Sequence, residues 1–119
     1  MSLAMSSALA WLTAFGFTEL VEVPLYSVTT FSPAGRSIGK RLAVAFGASL
    51  LTHPFVWFVF PRLFDDPWVS MLGAEAFAVL AEAAWLRAFG VRHALLLSLA
   101  ANASSLFLGL SSREMFGWP

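Results

Sequence analysis

From Val69 to Phe89 the chain reads VSMLGAEAFAVLAEAAWLRAF, an apolar run of 21 residues interrupted by Glu75, Glu82 and, near its end, Arg87. As an α-helix rising about 1.5 Å per residue it covers about 30 Å, the thickness of a bilayer's hydrocarbon core. A helix on a water-soluble core would carry a charged outer stripe, and this one has none. The segment therefore predicts a membrane-spanning helix that holds two acids.

Three further stretches have the same character: about Ala8 to Phe31, Leu42 to Phe60 and Ala94 to Leu110. The separators read as loops. The first holds Ser32-Pro33-Ala34-Gly35-Arg36 with Lys40-Arg41, the second runs from Pro61-Arg62 to Asp65-Asp66-Pro67, and the third is a tight Gly90-Val91-Arg92. Short connections make sequential helices antiparallel. The expected fold is all-α: one polytopic domain over residues 1–119, a compact bundle of four antiparallel transmembrane helices.

Composition agrees. Of 119 residues, 59% are hydrophobic and 12% charged, against about 25% charged in soluble domains. The lipid bilayer is thus the first partner. A net charge of zero offers nothing to nucleic acid. The absence of cysteine excludes disulfides, thiolate metal sites and cysteine nucleophiles. No basic stretch precedes the first apolar run, so residues 1–31 read as a retained span rather than a cleaved signal.

Arg36, Lys40, Arg41, Arg87 and Arg92 fall in or beside loops one and three, whereas Arg62 and Arg113 lie on the other side. Positive charge stays cytoplasmic, which predicts both termini outside and, from the short loops, a bacterial inner membrane. Trp68, Trp85 and Trp118 fall near span ends, where indoles favour the headgroup region.

The residues that need explaining are the polar ones. An ionised side chain at the bilayer centre costs roughly 2.5–3.5 kcal/mol, so it faces a bundle interior or a wet cavity. Glu19, Glu22, Glu75 and Glu82 all fall within spans; each must be protonated, paired, hydrated or metal-bound. Glu19, Glu22 and Tyr26 share one helix stripe, and so do Glu75 and Glu82. Ser49, His53 and Trp57 repeat every four residues. Pro24 and Pro54 each remove a helix hydrogen bond; the two acids of the first span lie at mid-depth only if the helix continues past Pro24 to about Phe31.

On the fourth span Ala94, Ser98, Asn102, Ser105 and Gly109 form a stripe of small and polar residues. Ala94, Ser98, Ser105 and Gly109 would let a neighbouring backbone approach, with Asn102 bridging to another helix.

The expected site is therefore a buried cluster of Glu19, Glu22, Tyr26, His53, Glu75, Glu82 and Asn102. Within it, Glu82, His53 and Asn102 are expected to converge near the midplane. Buried carboxylates without a catalytic motif point first to proton- or cation-coupled transport. One histidine with several carboxylates also suits a divalent metal such as Mn, Fe or Zn, held by His53, Glu82 and Glu75, and hence an intramembrane metal-dependent enzyme. A third reading is an accessory subunit that docks in lipid, against a second copy as a homo-oligomer or within a larger membrane complex.

Overall fold

The structure, a computed structural model, describes residues 3–28 and 37–117, with the side chains of 8–27 and 37–117. The expected end of the first span at 29–31, the loop at 32–36 with Arg36, and Trp118 lie outside the described residues. Within them the chain forms four helical spans and no strand. Helix α1 covers Leu3–Val28 and α2 covers Ile38–Pro54, which continues through a π-helical turn at Phe55–Val59 into the short α3, Phe60–Leu63. Helices α4, Pro67–Ala88, and α5, Ala94–Phe116, complete the bundle. Its long dimension of 46 Å matches a bilayer with its headgroup regions, about 40–45 Å.

Local chemistry sets the helix ends, and two spans outrun the expected limits. Ser37 caps α2 by accepting from the Lys40 N–H at 3.2 Å. Lys40 and Arg41 thus occupy the first helical turn rather than a loop, with side chains long enough to reach the headgroups. At the far end α5 continues to Phe116 instead of stopping near 110, because a helix need not end where the hydrocarbon does. Asp66 caps α4 through the backbone N–H groups of Trp68 at 2.8 Å and Val69 at 3.3 Å. Pro67 stands at the position where its missing N–H costs nothing.

The turn from α4 to α5 is a Schellman motif. Gly90, at φ 81°, takes the left-handed conformation that a side chain would disfavour. The Gly90 N–H donates to the Arg87 carbonyl at 2.9 Å, and Val91 to Leu86 at 3.1 Å. Leu86 and Val91 are both buried in one cluster, the apolar contact that accompanies this motif.

Pro24 does not end α1. Its ring is exposed, and the helix runs on to Val28; residues 29–31, on which the mid-depth placement of Glu19 and Glu22 also depends, lie outside the described residues. Pro54 has a larger effect, because the helix widens by one residue in the π turn that follows. Such a turn re-aims side chains and is frequent at functional sites.

The helices form a closed square: α1 lies beside α2 and α5, and α4 also lies beside α2 and α5. The half of the bundle facing loops one and three is dry and tightly packed around Tyr26, Val44, Ala45, Ala48, Leu86 and Ala101. Trp85 belongs to this packing. Its indole N–H donates to the Val44 carbonyl at 3.0 Å, and its ring lies over Gly47, where an added Cβ would sit 2.8 Å from Trp85 Cζ2. The half facing loop two is open inside.

Candidate functional site

Two carboxyl groups meet where the dry half ends. Glu22 from α1 and Glu82 from α4 are each only 1% exposed, and both border the same cavity. Five neutral side chains donate to them. Ser49 Oγ donates to Glu22 Oε1 at 2.7 Å, and Ser105 Oγ donates to Glu22 Oε2 at 2.6 Å. Tyr26 OH donates to Glu82 Oε1 at 2.6 Å, Thr52 Oγ1 to Oε2 at 2.6 Å, and Asn102 Nδ2 to Oε1 at 3.2 Å.

All four long helices contribute, so the site exists only in the assembled bundle. The α5 hydroxyls and amide arrive because α4 and α5 pack closely: Ser98 is fully buried and donates to the Val79 carbonyl of α4 at 2.8 Å. Asn102 also donates back to the Ser98 carbonyl at 2.9 Å.

None of the five donors carries a charge, and this decides the chemistry. Two unit negative charges about 4 Å apart repel by about 4 kcal/mol at an effective dielectric near 20. Neutral hydrogen bonds can stabilise one buried negative charge; a second beside it would have no counter-ion. Two ionised carboxyls here would need a counter-charge that none of these donors supplies.

Above the pair opens a central cavity of about 550 Å³. All four spans line it: Phe17 and Thr18 from α1, Thr52 and His53 from α2, Ala78 from α4, and Leu106 from α5. Glu22, Glu82 and Asn102 form its blind end, and Glu75 and Arg113 also line it. A second cavity, of about 640 Å³, adjoins it on the loop-two side and reaches Asp65, Pro67 and Trp68. The acid pair thus has a path toward loop two, while Tyr26, Leu86 and the α2 alanines close the other direction.

Of the expected site residues, Glu22, Tyr26, Glu82 and Asn102 come together, with Ser105. Glu75 lines both cavities. Ala94 and Ser98 are buried as packing residues. Gly109 instead faces the cavity, where an added Cβ would meet the Phe17 ring at an ordinary 3.7 Å rather than a neighbouring backbone.

Glu19 does not join the pair. Its carboxyl oxygens are buried and accept no hydrogen bond, since the hydroxyl of neighbouring Ser49 is committed to Glu22. An ionised group in that position would go uncompensated.

His53 lines the cavity but does not converge on Glu82 and Asn102. Its Nδ1 accepts from the Trp11 indole at 2.9 Å, and its Nε2 faces Thr18 Oγ1 at 3.4 Å. Phe15 packs against the ring at 5.4 Å between centroids, and Trp57 stacks on it at 6.4 Å. Nor do His53, Glu75 and Glu82 form a metal cluster: among the described residues no three His, Cys, Asp or Glu side chains are grouped to hold an ion.

Thr52, Trp11 and Thr18 escaped the sequence reading. A signal for each was present: Ser49 and Thr52 repeat the three-residue spacing of Glu19 and Glu22, and Trp11 and Thr18 stand seven residues apart on one stripe. Comparisons with protein-family models, with curated proteins and with solved structures find no match, so function is argued from this geometry alone.

Proposed function

We propose that the protein is a small proton-handling membrane transporter in which Glu22 and Glu82 carry one exchangeable proton. The observation that carries this reading is the donor set: two buried carboxyls, five uncharged donors, and a cavity leading away from them. A bare metal cation is a poorer occupant, because it needs the same oxygens that the hydroxyls already fill. A proton needs one oxygen; the pair retains one carboxyl proton between its two acids, and departure of a second leaves a single charge that the donors are placed to stabilise.

The orientation follows from the charges. Lys40, Arg41, Arg87 and Arg92 cluster toward loops one and three, so these loops face the cytoplasm and the cavity opens outside, with both termini. Single cysteines at Ser37 and Asp65 test this with an impermeant thiol reagent on intact cells. Asp65→Cys is expected to react and Ser37→Cys to be protected; the reverse pattern contradicts the orientation.

Proton movement is tested in vesicles that enclose a pH-sensitive dye, with the membrane potential clamped by valinomycin and potassium. The protein is expected to admit protons, and Glu82→Gln, which keeps the shape of the side chain, is expected to stop them. Equal entry with both proteins, or entry with neither, overturns the reading.

A further inference from the structure

Five residues line both cavities and so stand at the passage where the two adjoin: Val56, Trp57, Met71, Glu75 and Arg113. Val56 and Met71 do not titrate. Trp57 is a donor only, and an arginine keeps its proton at any physiological pH. Glu75 is the one group at this passage that can both gain and lose a proton. It also shares a helix face with Glu82, two turns or about 10 Å nearer loop two.

We propose that Glu75 is the relay that loads and unloads the Glu22–Glu82 pair from the loop-two side. The inference rests on the reading of that pair as a proton site. A hydronium ion in the outer cavity gives its proton to the Glu75 carboxylate and leaves as water. Glu75 then passes that proton through water in the inner cavity to the ionised carboxyl of the pair and returns to its own ionised form. The separation of about 10 Å is too long for a direct hydrogen bond; the inner cavity, at about 550 Å³, has room for bridging water, with Thr18, Thr52 and Asn102 among its lining to bind it.

The other charged and titratable groups around the passage fit this assignment. Glu22 from α1 is the acceptor that faces Glu75 across the inner cavity, and Glu82 shares its own helix. Arg113 from α5 lines both cavities with a fixed positive charge, and Asp65 lines the outer one. His53 from α2 is held away from the route by Trp11 and Thr18.

The test is time-resolved infrared spectroscopy of the carboxylic-acid C=O band after a pH jump, on the whole protein in lipid. Glu75→Gln is expected to leave the amplitude of the band change intact and to slow it about a hundredfold. Glu75→Asp should keep much of the rate, and sodium azide, a small mobile acid–base pair, should restore the rate of Glu75→Gln. A variant that only disturbed packing would not respond to azide. An unchanged rate in Glu75→Gln overturns the relay and leaves the proton site standing. A rate that falls but is not restored by azide also overturns it. If the unmodified protein shows no titrating band, both the proton site and the relay fall.

Discussion

The indole N–H of Trp11 donates to Nδ1 of His53 across 2.9 Å, and this single bond fixes the state of the imidazole. Indole nitrogen is a donor and nothing else, so Nδ1 must be the unprotonated nitrogen and the ring is neutral, with its proton on Nε2. Nitrogen NMR of histidine-labelled protein in lipid, at neutral pH, is expected to show the Nε2–H tautomer for one of the two histidines; an imidazolium pattern for both would contradict it. Trp11→Phe keeps the ring and removes the donor, and should lower stability by about 1–3 kcal/mol in detergent unfolding. His53 is in this respect a brace between α1 and α2.

Gly47 and Trp85 define how closely α2 and α4 approach. A methyl group on Gly47 would come within 2.8 Å of the indole, so Gly47→Ala must move the ring and strain its bond to the Val44 carbonyl. A loss of about 1–3 kcal/mol is expected. Gly16, with nothing within 4 Å of an added Cβ, is the control: Gly16→Ala should be neutral or stabilising by up to about 1 kcal/mol. Thermal unfolding of both variants in the same detergent decides it, and equal midpoints would remove the close contact from the packing scheme.

The α5 stripe divides into two functions. Ser98 is fully buried against α4, and Ser98→Leu should disrupt the bundle. Gly109→Ala should fold normally and narrow the cavity, because its Cβ would face Phe17 at contact distance. Loss of folded protein for Gly109→Ala, with Ser98→Leu unaffected, would reverse this assignment.

The four spans were legible because lipid leaves a coarse signature: long apolar runs broken by short polar turns. Their ends were less so. Lys40, Arg41, Arg113 and Glu114 look like loop residues by charge, yet they continue helices into the headgroup region. The acid pair was half legible. Glu22, Tyr26, Glu82 and Asn102 stand out because each is costly in hydrocarbon. Thr52, Trp11 and Thr18 are common in apolar helices, and their spacing carries only a weak signal until a partner helix is placed beside them. His53 was expected at Glu82 because the two share a depth; depth along a helix says nothing of the direction in which a side chain leaves it, and His53 leaves toward α1.

The claim at the centre is that Glu22 and Glu82 hold a carboxyl proton between them at neutral pH. The most direct measurement is the infrared C=O band of a protonated carboxylic acid in lipid, compared between the unmodified protein and the Glu22→Gln/Glu82→Gln double variant. Glu75→Gln and Glu19→Gln serve as controls that account for the remaining buried acids. Part of the band should vanish in the double variant and exchange on transfer to heavy water in the unmodified protein. A double variant that folds and retains the whole band would show that neither carboxyl carries a proton, and the proposed function would fail with it.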